Sequence, residues 1–125
     1  MKVLNDADIN VAAANIASSA VLNSGQVCIS TERVIVQRGV AEKFLPALKA
    51  QFEGLSVTSN NQIWTALAPE GSAENIIGML QEAQKEGAEI VVGDLNREGS
   101  LVKPHLVKNV RPGMRIWDRE TFGPG

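Results

Sequence analysis

The sequence predicts an α/β fold, a parallel-rich sheet with flanking helices. Three observations carry that expectation. An alanine-rich run with helical spacing opens the chain. Two β-branched runs, Arg33–Gln37 and Glu89–Val92, follow it. Between them lie two further segments with helical period, an order that reads as strand, helix, helix, strand and so implies a right-handed crossover between parallel strands.

Each element has a local cause. Asn5-Asp6-Ala7-Asp8 is a helix entry, because an acid there caps free N–H groups and complements the helix dipole. Ile9, Ala13, Ile16 and Ala20 then recur on one face of a helix spanning about Asp8 to Leu22. Its alanines suit close packing against a neighbour. The continuous apolar character of Arg33–Gln37 predicts a strand buried on both faces. Val40, Phe44, Leu48 and Phe52 define the next helix, with Gly54 placed to end it. Pro46 within it predicts a kink or a later start.

Leu55 to Gly71 has no period and reads as a surface loop, with Pro69 as a breaker and Trp64 as an anchor. Ser72 is a candidate N-cap for a helix over about Ala73 to Glu86, with Ile76, Leu80 and Ala83 on its inner face and Gly87 at its end. The strand Glu89–Val92 follows at once, then a polar turn over Gly93–Gly99. Leu101-Val102 and His105-Leu106-Val107 are short strand-like runs, and Pro104 confines them to an edge or bulge. Met114-Arg115-Ile116-Trp117 reads as a last extended segment.

With 125 residues there is room for one domain and not comfortably for two. A net charge of −2 offers no basic field for nucleic acid or an anionic membrane. The apolar run Val11–Leu22 is too short to span a bilayer, and the first residues carry no signal-peptide core. One cysteine and one histidine are too few for a Cys/His zinc site, so no metal is expected. A single cysteine forms no internal disulfide, which suits a reducing compartment such as the cytoplasm. There is no glycine-rich phosphate loop, no Gly-x-Gly-x-x-Gly and no Gly-x-Ser-x-Gly elbow.

The stretch most suggestive of chemistry is Asn23-Ser24-Gly25-Gln26-Val27-Cys28-Ile29-Ser30-Thr31-Glu32-Arg33, at the change from helical to β-like pattern. Loops at such junctions carry functional groups on a rigid scaffold. Gly25 permits a sharp turn or a close approach. Cys28 is the one strong nucleophile once ionised, and nearby backbone N–H groups would stabilise an oxyanion if it lay near a helix N-terminus. Its neighbours Val27 and Ile29 point the other way, to a small buried hydrophobe. His105 could serve as base in a Cys–His hydrolase, although nothing in the sequence brings the two together; as a lone histidine on an extended run it reads as a surface or packing residue.

Two segments together resemble the aldehyde dehydrogenase family. Asn23-Ser24-Gly25-Gln26-Val27-Cys28 is similar to its cysteine signature, and Glu120-Thr121-Phe122-Gly123-Pro124 to its downstream Glu-x-Phe-Gly-Pro motif, in the family's order and at the family's kind of separation. Asn5-Asp6-Ala7-Asp8 and Glu82-Ala83-Gln84-Lys85-Glu86-Gly87-Ala88 extend the likeness. The chain departs from the family at Arg119, where an acid is frequent, and around Pro69, which lacks a Gly-Pro pair.

The resemblance implies that residues 1–125 are part of a catalytic domain, the dinucleotide-binding domain lying upstream. It implies that Cys28 attacks an aldehyde, with its own backbone N–H in the oxyanion hole. Glu120 would accept hydrogen bonds from the nicotinamide ribose of NAD or NADP, and Phe122 would pack beside the nicotinamide. A carboxylate suits two hydroxyls and an aromatic ring suits a flat cofactor. The general-base glutamate and the asparagine of the oxyanion hole would lie outside this chain, so the chain alone is expected to turn over little. The alternative is a non-catalytic, truncated member that associates with full-length subunits or with its own copies, or acts through a reactive thiol.

Overall fold

The computed structural model describes residues 1–57 and 71–124. The elements run β1 (Lys2–Val3), α1 (Ile9–Val21), β2 (Ile35–Val36), α2 (Arg38–Val57), α3 (Ser72–Lys85), β3 (Glu89–Val92), β4 (Arg97–Glu98), β5 (Leu101–Val102), β6 (Leu106–Lys108) and α4 (Arg115–Asp118). Among the described residues no helix is long and apolar enough to cross a membrane.

α1 begins where the acids predict. Asp8 is its N-cap, and Oδ1 accepts from the N–H groups of Asn10 at 3.0 Å and Val11 at 3.1 Å. Ala13, Ile16 and Ala20 of the expected stripe are buried, Ile9 is half-buried against the same core, and Ala17 and Val21 join them. α1 packs along α2. The small side chains of Ala13, Ala17 and Ala20 leave room for Val40, Phe44, Leu48 and Phe52, and together they form the largest core.

α2 departs from expectation in three ways. It starts at Arg38, passes through Pro46 and continues beyond Gly54 to Val57. An internal proline costs about 3 kcal/mol. Each fully buried Leu or Phe returns about 1.5–3 kcal/mol, so the four buried side chains on the inner face outweigh it. Pro46 sits on the exposed side. Gly54 ends nothing because its φ is not positive, the condition under which glycine stops a helix.

α3 buries Ile76, Leu80 and Ala83 as expected, with Ala73, Ile77 and Met79. Ser72 is not its cap: the helix starts at Ser72, Gly71 precedes it, and Asn75 N–H donates to the Gly71 carbonyl at 3.1 Å. Gly87 does end it. With φ at +101° it lets its own N–H reach Gln84 O at 3.1 Å and that of Ala88 reach Ala83 O at 2.9 Å, a Schellman closure.

The α/β class holds, but the pairing is not the expected crossover. Among the described residues the strands form three pairs: β1 with β2, parallel, and β3 with β6 and β4 with β5, both antiparallel. β2 and β3 do not pair with each other. Strand partners are set by contacts distant in sequence, which a run of β-branched residues does not specify. β2 is also only two residues long and not buried on both faces, since Ile35 is 53% exposed. The polar turn at 93–99 contains β4, which folds back on β5. The expected loop over Leu55–Gly71 begins inside α2 and ends at the described Gly71 before α3, while residues 58–70, with Trp64 and Pro69, lie outside the described residues.

The segment expected to be extended at 114–117 is instead the single turn α4. Arg115 reaches back to α3, donating to Glu82 Oε1 at 3.1 Å and to Asn75 Oδ1. Met114 is buried against Ala83 and Ala88. Those tertiary contacts decide a segment too short to be fixed by its own pattern.

Candidate active site

The site starts from a left-handed turn. After α1 the chain passes through Asn23, Ser24 and Gly25 with φ of 52°, 58° and 71°. Asparagine and glycine tolerate that region, and a serine there is uncommon. Ser24 is wholly buried, and the turn is closed by Gln26 N–H on Asn23 O at 3.2 Å. The reversal throws the next residues outward.

Cys28 lies at the tip of the tight turn that follows, in which Ser30 N–H donates to Val27 O at 2.8 Å. It is exposed, and Ile29 is 81% exposed. The apolar flanks suggested a buried thiol, but the preceding left-handed turn lifts Val27–Ser30 off the core. Cys28 is not at a helix N-terminus. The donors near its sulfur are turn amides instead: among the described residues the N–H groups of Cys28 and Ile29 have no intramolecular acceptor. Free N–H groups beside a nucleophile are what a developing oxyanion requires.

The next three residues each tie this loop to another part of the fold. Thr31 is buried, its Oγ1 2.8 Å from Ser19 Oγ on α1. Arg33 lies over the Trp117 ring at 4.2 Å and donates from Nη2 to Trp117 O at 2.5 Å. Glu32 Oε1 accepts from Thr121 Oγ1 at 3.0 Å and from Phe122 N–H at 2.9 Å.

The second motif therefore meets the first. Gly25 packs so tightly against it that an added Cβ would stand 1.9 Å from Gly123 O. A Cβ on Gly123 would in turn stand 2.2 Å from Ile76 Cδ1 on α3. Phe122 adopts φ of 52°, rare for a bulky side chain, and stays 40% exposed. That backbone costs about 1–2 kcal/mol. A hydrogen bond to a carboxylate contributes about 1.5–3 kcal/mol when shielded and less at an exposed one; Glu32 is exposed, so its contact offsets only part of that cost. Pro124 O accepts from His105 N–H at 2.9 Å and closes the segment.

The outcome is a shared hollow of about 400 Å³, lined by Met1, the 27–33 segment and Glu120. Cys28 and Glu120, distant in sequence, face the same space. Glu120 is exposed there, and its carboxylate engages no described residue. Phe122, two residues on, presents its ring at the surface. Ser30 Oγ is buried at the same hollow and has no partner among the described residues.

His105 is elsewhere. It is 2% exposed and lines a larger, mostly apolar hollow of about 680 Å³ between α1, α2, α3 and β6, which adjoins the first through Thr31, Glu32 and Arg33 but does not include Cys28. Leu95 N–H donates to its Nε2 at 3.2 Å, which puts the proton on Nδ1, and Nδ1 donates to Lys103 O at 2.7 Å. Burial pushes its pKa below the ordinary value, more than the Lys103 carbonyl and the Asp94 carboxylate raise it. With both ring nitrogens engaged it packs and does not act as a base for Cys28. No group of three or more His, Cys, Asp or Glu among the described residues could hold a metal ion.

Comparison with known proteins bears on the same geometry. The model of the aldehyde dehydrogenase family matches residues 1–124. The chain belongs to the aldehyde dehydrogenase family. Among its relatives, an NADP-dependent glyceraldehyde-3-phosphate dehydrogenase of Arabidopsis thaliana is 39% identical over 98% of this chain and 25% of its own length. A vanillin dehydrogenase of Pseudomonas fluorescens is 35% identical over 98% of this chain and 26% of its own. Aldehyde dehydrogenase structures superpose as well. An NADP-dependent glyceraldehyde-3-phosphate dehydrogenase from Bacillus halodurans, complexed with NADP, gives a TM-score of 0.87 at 35% identity, covering 98% of this chain and 26% of that one. A salicylaldehyde dehydrogenase from Pseudomonas putida, complexed with salicylaldehyde, gives 0.85 at 34% identity, with the same coverage. The chain thus spans about a quarter of the length of these aldehyde dehydrogenases.

Sequence reasoning singled out Cys28, Glu120 and Phe122 and passed over Glu32. The available signal was a carboxylate inside the cysteine stretch, four residues past Cys28. What it bonds could not be read, because both donors lie about 90 residues away.

Proposed function

We propose that this chain is the nucleophile-bearing part of an NAD(P)-dependent enzyme that oxidises an aldehyde to a carboxylic acid. The observation that carries the reading is the hollow shared by Cys28 and Glu120. Residues 1–125 would then be part of a catalytic domain whose dinucleotide-binding portion is supplied by other sequence.

In this reading the Cys28 thiolate forms a carbon–sulfur bond to the aldehyde carbon, and the carbonyl electron pair moves onto oxygen. The N–H groups of Cys28 and Ile29, which have no acceptor among the described residues, would receive that oxyanion, each such donor being worth about 10²–10³ in rate. Bound NAD(P)+ supplies the acceptor for the hydride. Glu120, unengaged at the rim, would hold the ribose hydroxyls, and the exposed ring of Phe122 would wall the nicotinamide. The acyl group stays on Sγ as a thioester until water adds, the carbon–sulfur bond breaks, and acid and thiol separate. Names among the relatives suggest the substrate class, since they include enzymes of phosphorylated and aromatic aldehydes.

The last step needs a base. The titratable side chains at the hollow, besides Cys28, are Glu32, Arg33 and Glu120. Glu32 is spent on Thr121 and Phe122, and Glu120 is assigned to the cofactor. A missing general base removes about 10²–10⁴ in rate. The purified 125-residue chain is therefore expected to show no NAD(P)+-dependent oxidation of glyceraldehyde 3-phosphate or salicylaldehyde above background, read as reduced cofactor absorbance. Turnover by the chain alone that disappears in Cys28→Ala would contradict that expectation. Association with a full-length family subunit, the second reading, draws on the exposed Leu22 and Ile35 and would supply the missing groups in trans.

A further inference from the structure

We propose that Glu32 is a positioning residue that fixes the Glu120 segment against the nucleophile loop. The inference rests on the reading of Cys28 and Glu120 as parts of one site and adds the device that joins them.

Residues 117–122 are tied at both ends to two consecutive residues. Arg33 grips the first end through the Trp117 ring and carbonyl. Glu32 grips the other through the hydroxyl of Thr121 and the backbone N–H of Phe122, both on Oε1. Glu120 lies between the two ties and is itself unengaged. An exposed acid with no task would be left to water. Glu32 instead makes two long-range bonds, one of them to the amide of a residue in the left-handed region. Thr31, anchored to α1 through Ser19, gives the clasp a fixed base. A shift of Glu32 would therefore move the Glu120 segment relative to Cys28 and leave the helical core in place.

The lone cysteine allows a direct test. A nitroxide attached to Cys28 broadens amide resonances near it, and the amides of Glu120, Thr121 and Phe122 are read in the whole chain in solution. Strong broadening is expected in the parent protein and a measurable reduction of it in Glu32→Ala, where the segment stays tethered through Trp117 and Gly123 but is no longer fixed. Glu32→Gln, which keeps an acceptor oxygen, is expected to retain most of it. The melting temperatures of the two variants are expected to stay close, because Glu32 is exposed and outside the core. Equal broadening in the parent and in Glu32→Ala overturns the proposal, as does an equal loss in Glu32→Gln or no broadening in the parent. The readout is separate from the reading it rests on: the broadening is measured without cofactor and stands if the chemistry assigned to Cys28 and Glu120 fails, which acylation of Cys28 tests by itself.

Discussion

Replacing Gly25 with alanine is expected to destabilise the protein by about 2–5 kcal/mol, the sum of a left-handed backbone penalty and overpacking. The backbone term follows from φ of +71° at Gly25, the third consecutive left-handed residue. The packing term follows from a Cβ standing 1.9 Å from Gly123 O, 2.3 Å from Gly123 C and 3.0 Å from Pro124 N. All three are main-chain atoms, so no rotamer change relieves the clash. Either the turn opens or Gly123–Pro124 moves away, and the latter would break the bond from His105 N–H to Pro124 O. Gly99→Ala is the control: Gly99 also has a positive φ, +60°, but nothing stands within 4 Å of its added Cβ. Urea unfolding of both variants isolates the close approach. The Gly25 variant is expected to lose clearly more than the control, and equal losses would show that the two motifs do not touch there.

His105→Ala is expected to cost about 3–5 kcal/mol, from the cavity left by a buried ring and from the Leu95 N–H and Lys103 C=O left without partners. The site cannot close easily. Gly93, whose added Cβ would stand 2.1 Å from the imidazole Cδ2, exists to admit that ring. Leu95 is held at φ of +56° with its N–H on Nε2. A pH signature accompanies the loss. Burial lowers the His105 pKa below its ordinary 6.5, so the unfolded chain binds a proton at higher pH than the folded one. Its contribution is complete above the unfolded pKa of 6.5 and declines as pH falls from there through the lower folded value. Asp94 adds a slope of the same sign at lower pH, because the Lys103 hydrogen bond holds its carboxyl below 3.8; being largely exposed, it adds little. Urea midpoints measured across mildly acidic pH are expected to fall for the parent and to flatten for His105→Ala. A parent midpoint unchanged just below pH 6.5 would mean that the ring is not held neutral.

These expectations also mark how far the sequence could be read. α1, α3 and the inner face of α2 were legible because their apolar residues keep helical period and their burial depends on it. Gly87 was legible as a terminator, Gly54 was not. The two differ in φ, which composition does not reveal. The β2–β3 crossover failed because each strand found its partner elsewhere in the chain, and α4 because Arg115 and Met114 answer to α3 and Ala88. In the site, both motifs were legible from residue type and order. The exposure of Cys28 was not, since Val27 and Ile29 look like core and only the left-handed turn at 23–25 lifts them out. The Glu32 clasp depends wholly on the fold.

The most direct measurement concerns the cysteine itself. The folded chain and the urea-unfolded chain are each treated with p-nitrophenyl acetate, and peptide mapping follows the acyl group on Cys28. If the turn amides of Cys28 and Ile29 receive an oxyanion as assigned, acylation of the folded protein is expected to exceed that of the unfolded chain by roughly the 10²–10³ that one such donor provides, with none in Cys28→Ala. Equal or slower acylation in the folded state would contradict the assignment of Cys28 as the nucleophile of this site.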